Sequence, residues 1–313
     1  MKAILHFAAS TRLRERLSQI IEPQICVIGE TDDAMFFKEL AHADVLLHVL
    51  KPVTAEVIAR APRLKLIQKI GVGVNTVDLD AARNAGIAVA NMPGSNTTAV
   101  AEHTLALMFA VLRRIAMFDS KTRDGHGWAL TPDFTEALGE LHGSVVGLIG
   151  YGAVSQHLTP VLIALGARVQ AWNRTKRPAQ NVAAVELDKL LETSDIISLH
   201  LPLTADTRHM LNRRALASLK PGVVIINTAR GELIDQAALA EGLLSGHIGG
   251  AGLDVFENEP APDLGVLASC STVVMTPHVA WLTPQTLERS LSVILENCRR
   301  LKSGEGFLHS VAS

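Results

Sequence analysis

The sequence predicts an α/β protein of two domains, each an open parallel sheet with helices on its faces. Three observations carry this. Short apolar runs alternate with amphipathic segments through the first third of the chain. A second alternating series, rich in Val and Ile and apolar on both faces, begins at Val145. The chain's 313 residues also exceed the usual size of a single hydrophobic core.

The first series runs ILHFAA, a helix carrying Leu13, Leu17 and Ile20, then ICVIG, ADVLLHVL, LKLIQKIG and IAVANM. Turn formers fill Asn91 to Asn96, and we place a hinge there. The long apolar stretch from Ala101 to Phe118 contains Glu102, His103, Arg113 and Arg114, so it reads as a buried helix and not a membrane span. The second series is VVGLIG, ARVQAWN, DIISLHL, GVVIINTA, GGAGLDVF and TVVMTPH, separated by helical stretches, as in a doubly wound sheet. After Pro284 an amphipathic helix carries Leu287, Leu291, Ile294 and Leu301, and the tail GEGFLHSV can return to the first domain. The predicted domains are 1–95 with 284–313, and 96–283.

Composition narrows the function. Apolar residues at 48% and charged residues at 19% support sizeable cores and exclude a disordered chain. A net charge of -2 with interspersed signs offers no basic face for nucleic acid or an anionic membrane. Cys26, Cys270 and Cys298 lie far apart without metal-ligand or redox spacing, so no metal is expected and a reducing compartment fits. The N-terminal apolar run reaches Thr11 and Arg12 too soon for a signal peptide, and a cytoplasmic protein is expected.

The strand VVGLI leads into Gly150-Tyr151-Gly152-Ala153-Val154-Ser155 and a helix pattern of Leu158, Val161, Leu162 and Leu165. Gly150 permits a tight turn, Gly152 lets a pyrophosphate approach the backbone, and the helix N-terminus offers amide hydrogens. Ser155 stands where a third glycine is usual. At the end of the next strand, where an acid would grip the 2'-hydroxyl of NAD, the chain has Asn173. Arg174, Thr175, Lys176 and Arg177 follow and suit a 2'-phosphate, favouring NADP over NAD; the competing reading is a solvated charged loop.

Arg230, Asp254, Glu259 and His278 stand at predicted strand ends, where an open α/β sheet places its ligands. The Arg230 guanidinium could hold a carboxylate in two bonds, though a structural ion pair competes. His278 suits proton exchange with an alcohol or keto oxygen. Glu259 could hydrogen-bond that imidazole and keep it protonated, and Glu257 is its rival from sequence alone. In the first series, Ile70-Gly71-Val72-Gly73-Val74 ends a strand with amides that form either an anion nest or a plain turn.

Together these segments resemble the D-isomer-specific 2-hydroxyacid dehydrogenase family. The matching stretches are GVGVNTVDLDAARNAGIAVANMPGSNTTAVAEHTLALM, ELHGSVVGLIGYGAVSQHL, SDIISLHLPLTADTRHMLN, KPGVVIINTARGELID, GAGLDVFENEP and TPHVAW, covering most of residues 62–283 in the family's order. The resemblance implies a Rossmann-type nucleotide domain and a flavodoxin-like substrate domain that close over a cleft. It implies that Arg230, Glu259 and His278 are catalytic, choosing Glu259 over Glu257, and that Val72 and Gly73 hold the substrate carboxylate with Arg230 and His278. Cofactor contacts would come from Ala153, Val154, Leu201, Pro202, Thr207, Thr228, Ala229 and Asp254, and a homodimer would form through the nucleotide domain. The implied reaction is hydride transfer between NADP(H), or NAD(H), and a small 2-keto or 2-hydroxy acid.

Three departures stand out: Ser155, Asn173, and Trp281 where many members have a small residue. Asn173 resembles the NADPH-preferring glyoxylate and hydroxypyruvate reductases, and Trp281 is expected to add bulk beside His278, so a small substrate is expected. The alternatives are an NAD-dependent enzyme with a larger substrate, or one acting on D-3-phosphoglycerate. The second is disfavoured because Leu47 to Leu50 lacks an arginine and no regulatory domain follows Ser313. A dinucleotide-sensing protein like the co-repressors of this fold is the rival from another class, opposed by the presence of Arg230, Glu259 and His278.

Overall fold

A computed structural model of the chain describes residues 1–131, 137–174 and 181–311, which group into two compact units. Unit 1 holds Met1–Asn96 and Leu282–Ser313, and unit 2 holds Thr97–Trp281. Each is built on a parallel sheet flanked by helices.

Unit 1 runs β1 (Lys2–His6), α1 (Thr11–Ser18), β2 (Gln24–Ile28), α2 (Asp33–Leu40), β3 (Val45–His48), α3 (Ala55–Ala59), β4 (Leu66–Lys69), α4 (Leu79–Asn84) and β5 (Ala88–Ala90). Strand order is β2-β1-β3-β4-β5, the flavodoxin-like order. Side chains that accept from backbone amides start the helices, with Ser10 capping α1, Asp32 α2, Thr54 α3 and Asp78 α4. The predicted first helix stops at Ser18, short of Ile20. Ile4, Leu46, Ile67 and Val89 form one core with Phe36, Leu40 and Ile58 of the helices.

Unit 2 runs α5 (Thr97–Leu112), α6 (Ile115–Arg123), β6 (Val145–Ile149), α7 (Ala153–Ala164), β7 (Arg168–Trp172), β8 (Ala183–Ala184), α8 (Leu187–Thr193), β9 (Ile196–Leu199), α9 (Arg213–Ala217), β10 (Val223–Asn227), α10 (Gln236–Leu244), β11 (Ile248–Leu253) and β12 (Val273–Met275). Its order, β12-β11-β10-β9-β6-β7-β8, reverses direction between β6 and β9, the switch point where a doubly wound sheet binds dinucleotides. Because strand side chains alternate, Val224 and Ile226 face one core with Leu107, Met108 and Val111 of α5, while Val223 and Ile225 face another. That explains the runs apolar on both faces. The short exposed β8 is absent from the predicted strands. In α7 only Leu158 and Leu162 of the predicted apolar set are buried, while Val161 and Leu165 lie on the outer face.

The last helix, α11 (Pro284–Ser303), belongs to unit 1. Asn297 on it is fully buried, donating to Gln68 Oε1 at 2.6 Å and accepting from the Leu308 amide at 2.7 Å. The tail then pairs with the end of β5, where the Val311 amide reaches Val89 O at 2.8 Å.

Candidate active site

At the switch point, β6 ends and the chain turns at Gly150 with φ 92°. A Cβ there would lie 2.6 Å from the His200 carbonyl oxygen, so only glycine lets the turn sit against the end of β9. Gly152 precedes α7 with open space where a side chain would stand, and no side chain caps the helix. The first turn of α7, with Ala153 and Val154, thus offers amides to an anion. Ser155 is fully buried and its hydroxyl donates to Gly150 O at 2.6 Å, so it closes the turn without obstructing it.

Leu201 abuts the Gly150 turn. Thr207 donates to Pro202 O at 2.8 Å and folds that loop onto itself. Beyond β7, Asn173 is half-buried and Arg174 exposed, with no acidic residue at either position. Thr175, Lys176 and Arg177 lie outside the described residues. An uncapped helix N-terminus and an open Gly152 together fit the pyrophosphate of a dinucleotide.

The turn after β10 is set from within. Asn227, 1% exposed, donates to Arg230 O at 2.7 Å and accepts from the Ala229 amide at 3.0 Å. Thr228 is tied to Thr104 of α5, hydroxyl to hydroxyl at 2.9 Å. A Cβ on Gly231 would fall 1.9 Å from the Phe256 carbonyl carbon, so the Arg230 turn rests directly on the backbone of Phe256 and Glu257. Burial lowers the pKa of the Arg230 guanidinium, while the charges of Glu259 and Glu232 act the other way.

Glu259 and His278 meet as a hydrogen-bonded pair, Oε2 to Nδ1, at 2.5 Å. The other Glu259 oxygen accepts from the Phe256 amide at 2.9 Å. Burial pushes the Glu259 carboxyl up, but hydrogen bonds from His278 and Phe256 and the charges of His278 and Arg230 outweigh it, leaving the group below its ordinary range. Glu257 turns elsewhere, pairing with His209 at 2.8 Å and accepting from the Gln236 amide at 3.2 Å. Since a carboxylate can only accept, Nδ1 of His278 donates and Nε2 is left to take or give a proton.

Asp254 is fully buried. Its carboxylate accepts from the Thr276 hydroxyl at 2.6 Å and from the amides of Val279 and Ala280, each at 2.9 Å. Its side chain holds the loop that carries His278. Trp281 is also buried, and its indole Nε1 donates to His278 O at 3.1 Å. It therefore pins the histidine's backbone, beyond the bulk expected of it.

Residues 105–280 match the family model described as D-isomer specific 2-hydroxyacid dehydrogenase, NAD binding domain. The chain belongs to the D-isomer-specific 2-hydroxyacid dehydrogenase family. It is 40% identical over 268 residues to D-3-phosphoglycerate dehydrogenase of Mycobacterium tuberculosis, covering 84% of this chain and 50% of that protein. The chain thus spans about half the length of its mycobacterial relatives. It is also 40% identical over 266 residues to hydroxypyruvate reductase of Thermotoga maritima, covering 83% of this chain and 84% of the relative. Among solved structures, the TT0316 protein of Thermus thermophilus superposes with a TM-score of 0.88 at 36% identity, covering 100% of both chains.

In this member of the family the loop after β4 carries Val72, which is exposed, and Gly73. Asn91 donates to Val72 O at 2.9 Å and the Met92 amide to Gly71 O at 2.8 Å, which fixes the loop from its carbonyl side. Among the described residues no His, Cys, Asp and Glu group of metal-site size occurs, and no helix is long and apolar enough to cross a membrane.

Sequence reasoning missed Asn227, His103, Thr104 and Thr276, which hold the site's loops. A signal existed for two of them. His103 and Thr104 are adjacent polar residues inside a largely apolar helix, and of the two only His103 enters the sequence reading, as an argument against a membrane span.

Proposed function

We propose that the protein reduces a small 2-keto acid, glyoxylate or hydroxypyruvate, to the D-2-hydroxy acid with NADPH in preference to NADH. The observation that carries this reading is the Glu259–His278 pair at 2.5 Å beside the Arg230 turn. When bound, the dinucleotide supplies the hydride. Gly150, Gly152, Ala153 and Val154 would hold its pyrophosphate, Asn173, Arg174 and Thr175 the 2'-phosphate, and Leu201, Pro202, Thr207, Thr228 and Ala229 would line the rest of its site.

Val72 and Gly73 would receive the substrate carboxylate through backbone amides, and Arg230 would orient the keto acid. Nε2 of His278 gives a proton to the developing alkoxide while Glu259 holds Nδ1–H and stabilises the imidazolium. Similarity to a hydroxypyruvate reductase across 84% of that relative supports the substrate class.

A second reading, D-3-phosphoglycerate oxidation with NAD, is favoured by the mycobacterial relatives at 40% identity. Initial rates on glyoxylate, hydroxypyruvate, phenylpyruvate and D-3-phosphoglycerate with each cofactor decide between them. NADH preferred by more than about tenfold overturns the cofactor assignment. We further propose a cytoplasmic homodimer associating through unit 2. The three free thiols support a reducing compartment, and exposed Ile115, Trp128 and Leu130 support a second copy as partner.

A further inference from the structure

The loop that carries His278 is held under constraint. His278 has φ 54°, in the left-handed region that non-glycine residues seldom adopt. Such a conformation persists only where surrounding contacts over-determine it. Here the His278 amide donates to Asp254 O at 2.7 Å, and the Asp254 carboxylate gathers Thr276, Val279 and Ala280. A buried carboxylate keeps one orientation only while its donors stay in place.

One donor is itself positioned from outside the loop. The Thr276 hydroxyl has a single proton and spends it on Asp254, 2.6 Å away. Its oxygen therefore accepts from Nε2–H of His103, at 2.9 Å, on α5. That nitrogen also lies 3.6 Å from Asp254 Oδ1, where its N–H dipole favours the carboxylate. The next residue, Thr104, reaches Thr228 at 2.9 Å. Helix α5, packed on the sheet through Leu107, Met108 and Val111, thus sends one polar side chain to each of two strand-end loops of the candidate site.

We propose that His103 is a positioning residue for His278, acting through Thr276 and Asp254 in series. It selects the Thr276 rotamer, Thr276 orients the carboxylate, and the carboxylate sets the backbone from which the imidazole is presented. The proposal rests on the dehydrogenase reading for its catalytic consequence and on the hydrogen-bond chain for its structural one.

The test measures both consequences in His103→Leu, His103→Gln, Thr276→Val, Thr276→Ser and the double variant His103→Leu/Thr276→Val. Turnover is followed on hydroxypyruvate, and amide hydrogen exchange at Val279 and Ala280 is followed without cofactor. His103→Leu and Thr276→Val are each expected to lower kcat by about tenfold with KM nearly unchanged, because small misplacements cost turnover before they cost binding. Both should speed exchange at the two amides. His103→Gln and Thr276→Ser, which keep the donor and the hydroxyl, should restore most of each effect. The double variant should be no worse than Thr276→Val alone, as elements in series require. Thr104→Val, one residue along the helix, should leave exchange at Val279 and Ala280 unchanged.

Unaltered kcat and exchange in His103→Leu overturn the proposal, as do additive losses in the double variant or failure of the conservative variants to rescue. If the wild type turns over no 2-keto acid, the dehydrogenase reading falls. Amide exchange then still decides the chain, faster exchange upholding it and unchanged exchange overturning it.

Discussion

Glu259 Oε2 lies 2.5 Å from Nδ1 of His278, while Glu257, two residues earlier, is committed to His209 at 2.8 Å. The division assigns different chemistry to two carboxylates that look alike in sequence. Glu259→Gln removes the charge that stabilises the imidazolium and should lower kcat by about 10²-fold, and His278→Ala by about 10²- to 10⁴-fold. Cofactor affinity should survive in both. Glu257→Gln should keep turnover within a few-fold. Steady-state kinetics with a fluorescence titration of cofactor checks all three, and near-normal turnover in His278→Ala removes the histidine from the mechanism.

Arg174 is exposed at the end of β7, with Asn173 where an acid would select NAD. Arg174→Ala should weaken NADPH by about tenfold or more, the loss of a charge-assisted contact, and change NADH little. Equal weakening of both cofactors would show that the arginine does not meet the 2'-phosphate.

Gly231 has no room for a methyl group, because its Cβ would fall 1.9 Å from the carbonyl carbon of Phe256. Backbone faces backbone there, so neither side yields by a rotamer change. Gly231→Ala should cost about 3 kcal/mol or more in a urea unfolding curve. A loss under about 1 kcal/mol would mean that the two loops separate readily.

His48 is 2% exposed in unit 1, and burial, with the nearby charge of Lys69, lowers its pKa from 6.5 to about 2. The unfolded chain binds this proton below 6.5 and the folded chain only near 2, so the unfolded state holds more protons in that window. Stability contributed by the neutral imidazole is therefore full above 6.5 and falls as the pH drops. Between pH 6.5 and 5 the loss should be about 2 kcal/mol. His48→Leu should flatten that slope, while sacrificing the bond to Thr76 Oγ1 at 2.8 Å. Urea midpoints at the two pH values measure it.

Trp128 is 84% exposed, with Leu130 at 62% nearby in the chain. Trp128→Glu places a charge where a second copy would bury the ring and should shift mass by light scattering from dimer toward monomer. A wild type that is monomeric at micromolar concentration ends the homodimer proposal.

Much of the fold was legible because it is written in local periodicity. Runs such as VVGLI and GVVIINTA are apolar on both faces, and such strands must lie inside a helix-covered parallel sheet. The glycine turn was legible for a similar reason, since Gly150 serves a backbone conformation that needs no distant partner to be recognised. Within α7 the same periodicity overreached, because hydrophobicity alone does not say that Val161 and Leu165 face outward.

The chain's own pattern determined two α/β units, the order of every strand but β8, and that Arg230, Asp254 and His278 stand just beyond strand ends. The resemblance already set Glu259 beside His278, and tertiary structure alone decided where the others go: Glu257 to His209, and Asp254 to the backbone of the loop beyond β12. It alone joined His103 to Thr276, 173 residues apart. The reason is physical. Burial patterns are set by each segment's own side chains, whereas the partner of a buried polar group is chosen by which strand ends the sheet brings side by side.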